Sequence, residues 1–100
     1  MPSLAISSFT TSTATPTSVR ITTSVASTVR FVGEFIEISG AQGFDGVSAA
    51  QLNQRVQIIT VIDDNNFVVT IPGITPDTGG ITGGGPNATF GLGVFFVDTG

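Results

Sequence analysis

Residues 55–72, RVQIITVIDDNNFVVTIP, constrain the fold more than any other stretch. Two runs of β-branched and aromatic residues flank Asp63-Asp64-Asn65-Asn66. β-Branched side chains lose freedom in a helix and pack well on a pleated surface. Asp and Asn tolerate left-handed backbone and bond their own main chain, so the polar break reads as a turn. The segment is a β-hairpin. Its first strand is apolar on both faces, which suits a central position. Its second strand alternates Phe67, Val69 and Ile71. No segment carries sustained helical periodicity, so the chain is expected to be all-β.

The remaining strands follow from the same period of two. SVRITTSV turns Val19, Ile21, Thr23 and Val25 inward and Arg20 and Thr22 outward. GEFIEISG sets Ile36 and Ile38 on one face, with Glu34 at its edge and Phe35 and Glu37 opposite. ATFGLGVFFVDTG is a closing strand, where Gly91 and Gly93 suggest a bulge or a close backbone approach. Between the second and third runs, Gly40, Gly43 and Gly46 permit tight turns and Phe44 is expected to plug the core. Ser48-Ala49-Ala50-Gln51 fits a capping box, with Leu52 as the buried anchor of one helical turn that closes one end. GITPDTGGITGGGPN reads as a flexible loop. Strands at this spacing predict a small β-barrel or sandwich of roughly five to seven strands.

Residues 1–16, MPSLAISSFTTSTATP, look different. They are rich in Ser, Thr and Ala and read as an extended N-terminal arm, with Pro16 marking the boundary to a single domain over 17–100. Leu4, Ile6 and Phe9 are nevertheless poorly suited to a solvated tail. Ordering about a dozen residues costs on the order of 1–2 kcal/mol each. Three buried apolar side chains return about 1.5–3 kcal/mol each. The difference closes when backbone hydrogen bonds join in, as when an arm adds a strand to a sheet edge. The expectation is an assembly clamp on a neighbouring subunit, carried by Leu4, Ile6 and Phe9; the alternative is an arm that is disordered or folded back on its own domain.

Composition narrows the function. Only 10% of residues are charged, against about a quarter in an ordinary soluble domain. The surface must therefore be hydroxyls, amides and backbone, as suits a protein packed among neighbours. The net charge is −4, and Arg20, Arg30 and Arg55 are the only cations, which argues against nucleic-acid binding. His, Cys, Lys, Tyr and Trp are all missing, so most nucleophiles, general bases and cofactor anchors are missing too. Glu34 and Glu37 lie three apart on one strand and face opposite sides, so they cannot converge as paired carboxylates. The expectation is a non-enzyme with no catalytic residues, no cofactor and no metal site.

Resemblances to binding motifs are superficial. Asp63-Asp64-Asn65-Asn66 lacks the central Gly and distal Glu of a calcium loop. GGITGGGPN carries neither a P-loop ending nor a dinucleotide fingerprint. Asn87-Ala88-Thr89 is a formal sequon without a signal peptide, and reads as chance. An all-Phe aromatic set disfavours a lectin. VFFV is too short to span a bilayer, so no membrane partner is expected.

The order of pieces from residue 33 onward resembles a small β-module that recurs in structural proteins of tailed bacteriophages. That module is often related to the FCCH-like domain of ubiquitin-activating enzyme. The resemblance rests on Gly33 to Gly40, Ala50 to Asn53, Asp63 to Phe67 and Thr82 to Phe90, and extends over most of the chain from about residue 17. The module often has His-Gly after its first strand, where this chain has Ser24 to Thr28. The resemblance implies a structural protein of the virion, either a head decoration (cement) protein or a tail-associated component. A chain of this size beginning at Met favours decoration. Implied partners are major capsid or tail proteins in a homo-oligomer or multi-copy array. The alternative is a receptor- or glycan-binding module of a tail fibre, which would use the 73–87 loop. The relation to the ubiquitin enzyme concerns shape and transfers no catalytic residue.

Overall fold

The computed structural model describes residues 4–23 and 32–92. Its elements in chain order are β1 (Leu4–Thr10), β2 (Ser18–Thr23), β3 (Phe35–Ser39), α1 (Ala49–Leu52), β4 (Arg55–Val61), β5 (Asn66–Thr70), β6 (Thr82–Gly83) and β7 (Thr89–Leu92). All the pairings are antiparallel. The strands follow the order β2-β5-β4-β3-β7-β1, and β1 returns to β2, so six strands close into a barrel. β6 adds a short seventh strand beside β1. Closure removes the free edges that would otherwise solicit other chains.

The inward face of each strand supplies the core. Val19 and Ile21 of β2, Ile36 and Ile38 of β3, Val56 and Ile58 of β4, and Phe67 and Val69 of β5 are all buried. Phe67 meets Phe90 of β7 edge to face, 5.4 Å between centroids, a favoured aromatic geometry. Leu52 anchors α1 in the core, and the expected capping box is present: Gln51 N donates to Ser48 Oγ (3.1 Å) while Ser48 N donates to Gln51 Oε1 (2.9 Å). Phe44 is partly buried against the same core.

Four expectations need correction. Residues 4–10 are not an arm set off before Pro16; they form β1, one of the six barrel strands. The 73–87 segment contains β6, and Ile74 within it is buried. Gly91 produces no bulge, because the β3–β7 register runs unbroken from Ser39↔Thr89 to Ile36↔Leu92. β4 is central but not covered on both faces: the register with β5 slips at Ile59, and Ile59, Val61 and Ile62 are exposed. A barrel of one sheet has no second layer to cover its outside. Val25 and Gly93 lie outside the described residues.

Candidate functional site

The three residues expected to clamp a neighbour sit in the chain's own barrel. Leu4 pairs with Phe90 through the backbone, Ile6 is buried at 3% exposure, and Phe9 is fully buried. A regular strand would turn Ile6 and Phe9, three apart, to opposite faces. The register between β1 and β2 slips by one residue between Ile6↔Thr23 and Ser8↔Thr22, so Ser7 is an extra residue. That bulge restores the parity and turns both side chains inward. Phe9 then packs near Phe44, with ring centroids 6.5 Å apart, and against Gly84, where a Cβ would collide with the Phe9 ring. The backbone of β1 is equally committed. It pairs with β2 on one edge, and with β7 and then β6 on the other; Ile6 N also donates to Ala88 O (2.9 Å). The strand addition anticipated from the energetics takes place, but within one molecule.

Just past β1, a carboxylate ties three segments together. Asp45 sits in the glycine-rich loop with φ +50°, a left-handed conformation that Asp tolerates better than most residues. Its Oδ2 accepts from Thr11 Oγ1 (2.7 Å) and Gly79 N (2.9 Å), and its Oδ1 from Thr78 N (2.9 Å). Asp45 O accepts from Asp77 N (2.9 Å), and Gly80 N donates to Thr11 O (2.7 Å). The Thr11 hydroxyl above all, with the Gly79 and Thr78 amides, holds the Asp45 carboxyl below its ordinary value against a smaller opposing desolvation. Nearby, Asn53 closes the loop by a reciprocal pair with Ala41: Ala41 N to Asn53 Oδ1 (2.8 Å) and Asn53 Nδ2 to Ala41 O (2.9 Å). These are fastenings. Asp45 spends its oxygens on donors of its own chain, and among the described residues no group of three or more metal-ligating side chains forms.

The outer wall across β6, β1, β2 and β5 has a distinct chemistry. The Thr10 and Thr82 hydroxyls are 3.3 Å apart, and Thr22 Oγ1 and Arg20 Nε both donate to Asn66 Oδ1, at 2.8 and 3.2 Å. Arg20 lies on this stretch of wall among hydroxyls and amides, and its charge acts on Asp63 of the adjoining turn, whose carboxylate accepts from Asn66 Nδ2 (2.9 Å). On the other side of the barrel, the Arg55 guanidinium lies 4.7 Å over the Phe35 ring. Both described arginines are thus engaged with their own chain.

Comparison of the chain with protein-family models, curated proteins and solved structures returns no match. Among the described residues no helix is long and apolar enough to cross a membrane. Sequence reasoning passed over Asp45. Its signal was an Asp-Gly pair inside a glycine-rich loop, where a left-handed Asp can turn its carboxylate back onto main-chain donors. The Ser7 bulge left no comparable signal.

Proposed function

We propose that this chain is a non-enzymatic structural component of a tailed-bacteriophage virion, acting as a head decoration protein that packs in multiple copies against major capsid subunits. The observation that carries the reading is the outer wall of hydroxyls and amides on a closed barrel. Such a wall can be buried against a neighbour without stripping water from many charges, the usual obstacle to burying polar surface. The order of motifs from Gly33 to Phe90 supports the same placement. Because β1 is built into the barrel, contact with the particle is assigned to the wall around Thr10, Arg20 and Thr82 and not to an N-terminal clamp.

The test is to purify particles from the phage that encodes the chain and locate the protein by gold labelling. Labelling over heads supports decoration, and labelling along the tail supports the tail-associated form. A protein left wholly in the particle-free supernatant overturns the reading. An Arg20→Glu variant, which reverses the charge on the wall without touching the core, should bind particles with lower occupancy while keeping a cooperative thermal transition.

A further inference from the structure

The carboxylate that fastens the barrel end belongs to the chain's only Asp-Gly pair, Asp45-Gly46, and the sequence has no Asn-Gly. In such a pair the glycine amide has no side chain to shield it, and its nitrogen can attack the Asp carboxyl. The attack is intramolecular, which removes much of its entropic barrier. Gly46 N would bond to Asp45 Cγ, and the carboxyl OH would leave as water with the amide proton. Water then reopens the five-membered imide at either carbonyl. Opening at the main-chain carbonyl of Asp45 sends the backbone through Cβ and Cγ, an isoaspartyl link, and leaves the free carboxylate on Cα.

The fold opposes each part of this step. Phe44 N donates to Val47 O (2.9 Å) and Val47 N to Phe44 O (2.8 Å), which pins Asp45 and Gly46 as a two-residue hairpin turn. Both lie at positive φ, +50° and +79°, as a type I′ turn requires. Both carboxylate oxygens are engaged, Oδ2 by Thr11 Oγ1 and Gly79 N and Oδ1 by Thr78 N. Those donors favour the ionised form, whereas departure as water needs the protonated one. Attack further needs a side chain free to turn into a near-attack alignment, and three hydrogen bonds hold this one in place. Nor can Gly46 be exchanged for a bulkier, safer residue. A Cβ there would lie 2.6 Å from Asp77 Oδ1, on a backbone at φ +79°. The tight turn and the labile pair come together.

We propose that Asp45-Gly46 is a site of spontaneous isoaspartate formation that the fastening to Thr11, Thr78 and Gly79 holds shut, so that the modification marks chains that are unfolded or whose fastening has opened. The mark outlasts refolding. It adds a backbone methylene to a turn built for two residues, and takes the carboxylate away from its three donors.

Trypsin cuts after arginine, and the resulting peptide 31–55 holds Asp45 as its only Asp. A protease that cuts before Asp but not before isoaspartate therefore reads conversion at this one position. The full-length protein is incubated at pH 7, folded and in urea. Conversion in urea should be at least about tenfold faster, the ratio that a local opening cost of ~1.4 kcal/mol already gives. Two folded variants separate the fastening from stability at large. Thr11→Val should convert faster than the parent and faster than Ile58→Ala, although the core truncation is the more destabilising. Thr11→Ser, which keeps a donor, should return towards the parent rate. No conversion in urea, or equal rates in folded and unfolded parent, would overturn the proposal. So would an Ile58→Ala rate at or above that of Thr11→Val, by showing that global unfolding alone opens the site.

Discussion

β1 and the β4–β5 hairpin both wall the same core, but they are held by different kinds of partner. The hairpin strands are joined by a four-residue break and pair with each other, Ile58↔Val69 and Gln57↔Thr70. β1 pairs with β2 next in sequence, but also with β6 and β7 some seventy to eighty-five residues further along the chain, as in Thr10↔Thr82 and Leu4↔Phe90. The hairpin can form before the barrel exists. β1 acquires its second edge only when the rest of the barrel is in place, because distant pairings carry a loop-closure cost that local ones avoid. A strand so placed can be poor in apolar residues and still be indispensable, since it completes the closure.

The sharpest way to break this comparison is to empty the inward face of β1. Phe9 is fully buried between Phe44 and Gly84, so Phe9→Ala should cost about 3–5 kcal/mol, a large share of the ~5–15 kcal/mol that stabilises a domain of this size. Deleting residues 4–10 should prevent folding altogether, measured as loss of β circular dichroism and of a cooperative thermal transition. A truncated chain with a native-like transition would show that β1 is an accessory strand.

The hairpin supplies the reference. Ile58 is fully buried, and Ile58→Ala should cost about 2–5 kcal/mol, with Val69→Ala at the lower end of that range or below it. Chemical denaturation with an unchanged m-value is the appropriate measurement. If Phe9→Ala proves much milder than Ile58→Ala, the cavity left in β1 collapses where that in β4 does not, and the two strands are unequal partners in the core.

Local pattern explains why one of these regions was readable and the other was misread. In β2, β3 and β5 apolar residues recur at every second position, and Ile21, Ile36 and Phe67 are buried as that period required. The capping box of Ser48 and Gln51 was legible because it is complete within four residues. β1 offered Ile6 and Phe9 at a spacing that breaks strand parity, and only the Ser7 bulge reconciles them. Bulges are set by the partner strand, so a chain read alone does not announce them. The Asp45 fastening has the same character: its donors, Thr11, Thr78 and Gly79, lie more than thirty residues away on both sides.

That fastening permits a finer comparison, between the end of β1 and the hairpin turn. Thr11 is buried, and its hydroxyl donates to Asp45 (2.7 Å). Thr11→Val keeps the shape and removes the donor, leaving the carboxylate to the Thr78 and Gly79 amides. The loss of stability should be clear in a thermal melt yet smaller than either core truncation. A variant as stable as the parent would mean that the barrel end is held by packing alone.

The smallest effects expected are those of acid. The Thr11 hydroxyl, with help from the Gly79 and Thr78 amides, depresses the Asp45 carboxyl. At the hairpin turn, the Asn66 side chain first and the Asn65 amide second depress Asp63, whose Oδ1 accepts from Asn65 N (2.8 Å) and Asn66 Nδ2 (2.9 Å). A carboxyl depressed by folding binds its proton more readily in the unfolded chain. Its contribution is therefore fully present above the unfolded value, about 3.9 for Asp, and is lost as the pH falls through the lower folded value. Melting temperature should hold from neutrality down to about pH 5 and decline below it. Asp45→Asn and Asp63→Asn should each lower the neutral-pH melting temperature slightly and flatten the acid decline. Asp45→Asn should flatten it more, because its carboxylate bonds donors from two distant segments while the hydrogen bonds of Asp63 stay within its own turn. An equal flattening by both variants would mean that tying β1 to two distant loops adds nothing beyond a local turn bond.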